Sequence, residues 1–302
     1  MKRLTKDDIR GCFPPVVTPF SEDEGIDFEA FRRELRYHLD QGVSGFLVAG
    51  ATGEGYALTP DEVASLYRAA VEEVAGRVPI LGGIIATSTR DAVKRAQHAR
   101  EAGCDGVLAT PVIYFSPGND GMIDYYAAIW NEVGLPIVAY NSIPRSPLTP
   151  ALVERLVEIP GIIAVKQGAG GTLDELGEMI DAVGDRIAIT WSQDYMLFAG
   201  YAMGAVGTLG GMDATLPGHV IRLREAVERG DLATARQLHH TISAVARAVG
   251  ATDFPAGIKA AINMQGRPVG RARRPYLPVV AEQESRIRRA LWAAGVLEAV
   301  TA

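Results

Sequence analysis

In the stretch "GIIAVKQGAG", residues 161–170, a lysine closes a run of four apolar residues. Burying an unpaired ammonium is costly, so Lys166 at the end of a buried strand asks for a chemical reason. An apolar wall disfavours the charged form of an amine. The neutral amine is a nucleophile that condenses with a carbonyl to give a Schiff base. The protonated imine then serves as an electron sink, beside which a C–C or C–O bond can break or form. The segment "PIVAYN", residues 136–141, ends the preceding strand at Tyr140. Its phenol can carry protons through the carbinolamine and enamine stages. In "GATGEG", residues 50–55, glycines at 50, 53 and 55 let the backbone turn sharply and present successive N–H groups to an anion. A substrate carboxylate fits such a turn, and the Thr52 hydroxyl adds a donor. Glu54 is expected to bury its carboxylate against backbone N–H groups rather than do acid–base work. Each feature alone has a plainer account: a lysine reaching for solvent, a core tyrosine, a tight connection. The chemistry rests on the three together.

These residues need a scaffold that brings strand ends to one place. Short apolar runs occur at 12–17, 45–49, 79–85, 106–110, 136–140, 162–166, 187–191 and 205–209. Continuously apolar strands are buried on both faces, which indicates a parallel sheet. Amphipathic segments separate them, and Pro60 and Pro150 stand just inside two helix starts. Eight such strands, each followed by a helix, predict a (β/α)8 TIM barrel, whose active site lies at the C-terminal ends of the strands. After residue 215 the strand signal stops, and 216–229, 231–249, 254–265 and 279–299 read as helices. The expected division is a catalytic barrel over 1–229 and a C-terminal helical region over 230–302. Other strand ends offer Ser192 and Gln193 in "WSQD", and Gly210 and Asp213 in "GTLGGMD", as groups facing a substrate.

Composition narrows the alternatives. A net charge of −6 and a pI of about 5.5 argue against nucleic acid or an anionic membrane as partner. The basic run "RPVGRARRP", 267–275, reads as a solvated turn. Two cysteines, Cys12 and Cys104, make no disulfide framework or zinc pattern, and a reducing interior is expected. The N-terminus has no apolar signal core, and no apolar stretch reaches the roughly 18 residues of a membrane span. A cytoplasmic location is the expectation. All five histidines fall in predicted helices, away from strand ends, so neither a metal nor another cofactor is expected. The "GAGG" turn after Lys166 could hold a phosphate, but barrel phosphate sites usually follow strands 7 and 8.

Taken in order, "GCFPPVVTPFSEDEGIDFEAF", "GVSGFLVAGATGEGYALTPDE", "PIVAYN" and "IIAVKQGAG" resemble the dihydrodipicolinate synthase/N-acetylneuraminate lyase family of Schiff-base aldolases. The resemblance implies that Lys166 forms a Schiff base with a 2-keto acid and that Tyr140 is the proton-transfer phenol. It implies that Ala51 and Thr52 hold the keto acid's carboxylate, and that the protein is a dimer or tetramer. The chain departs from the synthase pattern G-T-T-G-E at Ala51, so one relay hydroxyl is missing. Ile113 stands where the synthase has a tyrosine, with Tyr114 one step on, and Gln167 replaces a glutamate. Lysine biosynthesis is therefore not the expected role. Arg145, five residues after Tyr140, is a candidate for a distal substrate carboxylate. What remains is aldol cleavage or condensation of pyruvate-type substrates, with dehydration of a 2-keto-3-deoxy sugar acid as alternative. A keto-acid binder without turnover and a phosphate- or cofactor-binding barrel are the competing readings of other classes.

Overall fold

The computed structural model describes residues 3–168 and 171–297. Eight strands alternate with helices: β1 (Gly11–Cys12), β2 (Phe46–Val48), β3 (Ile80–Ile84), β4 (Gly106–Ala109), β5 (Ile137–Asn141), β6 (Ile162–Gln167), β7 (Ala188–Trp191) and β8 (Gly207–Thr208). They form one parallel sheet in the order β1-β8-β7-β6-β5-β4-β3-β2. The seam between β1 and β2 is closed by Val16 N–H to the Leu47 carbonyl at 3.0 Å and Leu47 N–H to the Pro14 carbonyl at 3.1 Å. The sheet thus closes on itself as the expected (β/α)8 barrel.

The first strand is much shorter than the expected 12–17. Pro14 and Pro15 have no N–H to give to a ladder, so pairing beyond Cys12 reduces to an isolated bridge at Pro15. Elsewhere the outer elements follow local signals. Helix α2 (Pro60–Val74) starts at a Thr59 cap whose partner is Glu62, a reciprocal capping box. Helix α5 (Pro150–Leu156) starts at a Thr149 cap whose side chain accepts the Leu152 N–H, with no reciprocal partner at Leu152.

Two apolar layers result. Between sheet and helices lies the main core. Inside the barrel, Leu47, Leu81, Leu108, Val138, Ala164 and Ala188 meet, one from each of six consecutive strands, over a floor of Leu4, Ile9 and Phe13. Side chains two apart on a strand share a face. The residue two beyond Val138 is Tyr140 and the residue two beyond Ala164 is Lys166, so both project into the barrel one layer above its packed interior. They are register partners across β5 and β6.

The C-terminal helices are α9 (Pro217–Glu228), α10 (Leu232–Gly250), α11 (Ala256–Met264) and α12 (Ala281–Ala293), the last starting later and ending sooner than the expected 279–299. The basic run between α11 and α12 is not the solvated turn that its composition suggested. Arg267 is 9% exposed at its side chain, 2.8 Å from Glu34 of α1 (Phe28–Asp40). Its guanidinium also lies 4.0 Å from the centre of the Tyr37 ring. Arg273 reaches Glu62 on α2 at 2.6 Å and donates to the backbone carbonyl of Glu24. The run is a strap that ties the C-terminal helices to the barrel, because acidic side chains far away in sequence meet its arginines.

Burial drives the Glu34 carboxyl up to about 7, against the pull of Arg267. Removing the guanidinium by Arg267→Met leaves that carboxylate buried and unpaired. The expected cost is about 3–5 kcal/mol above about pH 8. The cost should be smaller at about pH 5, where Glu34 takes a proton. Denaturant melts of the variant and the parent at both pH values check this, and equal losses at the two would be the wrong result.

Candidate active site

A cavity of about 300 Å3 opens at the C-terminal mouth of the barrel, and Ala51, Thr52, Tyr140, Lys166, Ser192 and Gly210 all line it. Among the candidates from sequence, Arg145 and Asp213 stand apart: Arg145 is exposed on the loop after β5, and neither is part of the lining.

Lys166 is 6% exposed, with its Nζ 3.9 Å from the centre of the Tyr140 ring. Burial alone would raise the Tyr140 phenol. The Lys166 charge, together with hydrogen bonding from Ser142 and Lys166, outweighs that and holds the phenol below the ordinary tyrosine range, with Asp194 pulling the other way. A phenol held low beside a lysine is suited to take the ammonium's proton and leave a neutral amine.

The turn at 50–55 is built as its glycines demand. A Cβ at Gly55 would sit 1.9 Å from the Ala49 carbonyl oxygen, and one at Gly53 would sit 2.8 Å from that of Val16. Ala49 and Glu54 both take left-handed φ values, 55° each. Among the described residues, the N–H groups of Ala51 and Thr52 find no acceptor, while those of Glu54 and Gly55 close the turn on Ala51 and Gly50. Two adjacent free N–H groups facing a cavity are an anion-binding arrangement.

Glu54 is wholly buried and turned away from the cavity. It accepts the Arg273 N–H at 2.9 Å, as a backbone partner was expected to provide. It also pairs with the Lys259 ammonium of α11 at 2.6 Å, a partner that sequence reading did not foresee. Lys259 is itself 1% exposed at its side chain, and its Nζ also donates to the Arg271 carbonyl at 2.9 Å. Burial pushes this lysine down to about 8, against the raising effect of Glu54. The turn at 50–55 is thus clamped from behind by the C-terminal helices.

On the opposite wall, the Ser192 Oγ accepts the Leu209 N–H at 3.1 Å. Gln193 Nε2 donates to the Gly171 carbonyl at 3.0 Å. Asp213 does not reach the cavity. It takes hydrogen bonds from Cys12 at 2.9 Å, from Thr208 and from the Gly210 N–H, and so braces the end of β8.

Asp194, the last residue of "WSQD", lines the cavity and was passed over in the sequence. The available signal was an acid directly after a barrel strand. Its carboxylate accepts the Met212 N–H at 3.3 Å. Burial and the neighbouring Asp213 push its carboxyl up to about 7, against the pull of Lys166 and the Met212 N–H. Val249 and Gly250 of α10, Phe254, and Ile258 of α11 complete the lining. The helices after residue 230 therefore form part of the site wall, not a separate appendage.

Tyr114 and Phe115, the aromatic residues near the missing relay tyrosine, pack edge to face with centroids 4.7 Å apart and are 69% and 71% exposed. Tyr114 does not turn into the cavity. Of the "GAGG" turn, Ala169 and Gly170 lie outside the described residues. The histidines lie in helices, and among the described residues no group of three or more His, Cys, Asp or Glu could hold a metal ion. No helix among the described residues is long and apolar enough to cross a membrane.

Barrel and cavity together place a candidate site at the C-terminal ends of the strands. The chain belongs to the dihydrodipicolinate synthetase family, whose model matches residues 8–294. It is 34% identical over 293 residues to a 4-hydroxy-tetrahydrodipicolinate synthase of Nitratidesulfovibrio vulgaris, a match covering 95% of this chain and 99% of the relative. A synthase of the same name from Methylobacterium radiotolerans is 32% identical over 299 residues, covering 98% and 99%. Among solved structures, the pyruvate complex of YagE, a prophage protein of the dihydrodipicolinic acid synthase family from E. coli, superposes with a TM-score of 0.90 at 28% identity, covering 95% of this chain and 99% of that one. The synthase of Acinetobacter baumannii with pyruvate gives 0.91 at 26% identity, covering 96% and 100%.

The raised Asp194 carboxyl fixes a sign for stability. The folded value, about 7, exceeds the unfolded value near 3.8, so this residue's contribution is lost as pH rises through about 7. Asp194→Asn, which stays neutral, should gain thermal stability relative to the parent between about pH 5 and about pH 8. Scanning calorimetry across that range tests this, and a difference that does not grow with pH would contradict the assignment.

Proposed function

We propose that the protein is a class I, Schiff-base-forming lyase that cleaves or forms a C–C bond in a 2-keto acid of the pyruvate type. The observation that carries this reading is the Lys166 amine stacked on the Tyr140 ring at 3.9 Å inside a cavity edged by free N–H groups. Ala51 and Thr52 hold the substrate carboxylate, which sets the keto carbon before Lys166. The amine adds to that carbon, and Tyr140 gives its proton to the carbinolamine oxygen as it departs as water. In the cleavage direction, the Tyr140 phenolate left by that step takes the proton of the substrate's hydroxyl, and the C–C bond β to the iminium breaks. An aldehyde leaves, and the electron pair remains as the enamine. The enamine takes a proton at carbon, and hydrolysis returns pyruvate and the free lysine. Ser192 and Gly210, which line the cavity, are assigned to a longer substrate's oxygens, and Arg145, exposed on the loop after β5, is assigned to a distal carboxylate.

The second reading, dehydration of a 2-keto-3-deoxy sugar acid through the same imine, has one observation in its favour. Asp194, with a carboxyl near 7 at the cavity wall, can hand a proton to a departing hydroxyl. Dihydrodipicolinate synthesis ranks below both, although the relatives above carry that name, because Ala51 lacks a hydroxyl, Ile113 replaces a tyrosine and Gln167 replaces a glutamate. A cytoplasmic homo-oligomer, dimer or tetramer, without metal or cofactor, completes the proposal.

Borohydride reduction in the presence of pyruvate should leave one reduced pyruvyl adduct on Lys166 by intact mass and peptide mapping, and none on Lys166→Ala. Pyruvate–aldehyde pairs, aspartate semialdehyde included, and 2-keto-3-deoxy sugar acids, followed for pyruvate uptake or release and for water loss, separate the reactions. A folded protein that traps neither pyruvate nor any longer keto acid would move the reading to a binder without turnover.

A further inference from the structure

Beyond Tyr140 and Lys166 the strands continue by one more pair. Gly168 N–H donates to the Asn141 carbonyl at 3.0 Å, which places Ser142 opposite Gly168. Ser142 is two residues after Tyr140, hence on the same inward face of the sheet. A Cβ built on Gly168 would stand 1.5 Å from the Ser142 Oγ and 2.9 Å from Cε2 of Tyr140. The hydroxyl and the edge of the phenol ring thus lie side by side, in the space left by a missing side chain at 168. The Ser142 Oγ is buried, and apart from the Tyr140 phenol beside it no hydrogen-bond partner lies within its reach among the described residues. A buried hydroxyl with so little else to bond is costly to place, so its position needs a reason.

We infer that Ser142 is a positioning residue for the Schiff-base chemistry proposed above, its hydroxyl turning to donate a hydrogen bond to the Tyr140 oxygen whenever that oxygen bears negative charge. The inference rests on the proposed role of Tyr140. A phenol that shuttles protons spends part of each cycle as phenolate. Ala51, its neighbour in the cavity, offers only a methyl group, whereas Ser142 offers a donor from the same strand. The lowered Tyr140 phenol, to which the Ser142 hydroxyl contributes, is in keeping with this. Gly168 is part of the device, since any side chain there would occupy the place of the hydroxyl.

Two measurements on the full chain need only pyruvate. Borohydride trapping after long incubation reads imine formation at equilibrium, which a proton-handling partner does not alter. Deuterium uptake from D2O into the pyruvate methyl group, followed by proton NMR, reads the rate of proton transfer through the enamine. Ser142→Ala should trap pyruvate on Lys166 as fully as the parent and exchange the methyl protons at least about tenfold more slowly. Ser142→Thr, which keeps the hydroxyl, should restore most of the rate. Exchange by Ser142→Ala within about twofold of the parent would overturn the inference, and so would Ser142→Thr as slow as Ser142→Ala. A parent protein that neither traps nor exchanges would overturn the Schiff-base reading itself, and this inference with it.

Discussion

The register between β5 and β6 is the constraint on which this site depends. It pairs Tyr140 with Lys166 and puts both on the inward face, one layer above Val138 and Ala164. A slip of one residue in either strand would send one of the two side chains into the outer core. Parallel ladders are evenly spaced and hold register through side-chain packing on both faces. The apolar interior below is therefore more than a stabilising core, because it also aims the lysine. Placing an amine above that layer gives it an apolar wall on one side and a cavity on the other.

A second set of interactions holds the turn at 50–55, which lines the same cavity as that lysine. The turn at 50–55 has left-handed backbone at Ala49 and Glu54 and close approaches at Gly53 and Gly55. Such a conformation persists only where its surroundings over-determine it. The buried Glu54–Lys259 pair and the Arg273 N–H supply the hold, and they come from the far C-terminus. An ion pair so buried is a doubtful source of net stability. Its effect is geometric: it joins the turn, helix α11 and the arginine strap. Phe254 and Ile258 of the same region face the cavity from the other side of that joint.

The opposite wall differs in character. Asp194 and Asp213 bring two carboxylates close together in a low-dielectric place, and their mutual repulsion adds to the cost of burial. Asp213 is satisfied by Cys12, Thr208 and the Gly210 N–H, whereas Asp194, among the described residues, is favoured by the N–H groups at the start of one short helix and by the Lys166 charge. Burial raises both carboxyls, and the one pushed up to about 7, Asp194, is the one that lines the cavity. A substrate region rich in hydroxyls would meet a group there that can both donate and accept.

Sequence alone carried a good deal of this. Apolar strands, caps such as Thr59 with Glu62, and the glycines at 50–55 report local backbone preferences, and local preferences are written in consecutive residues. Lys166, Tyr140, Ala51 and Thr52 were legible because the fold gathers strand ends, so that placing a residue on a strand end places it at the cavity. The proline-shortened first strand was foreseeable on the same local grounds, from the missing N–H groups of Pro14 and Pro15. What only the tertiary structure decided is long-range. Arg267 and Arg273 read as a solvated basic run until Glu34 and Glu62 meet them, and Lys259 gives no sign of Glu54 from more than two hundred residues away. Asp194 becomes an unusual acid only because Asp213 and the barrel wall surround it. Ser142 acquires a neighbour only when the register sets Gly168 across from it. Burial and partner charge depend on which elements pack together, and the order of residues along one strand does not contain that information.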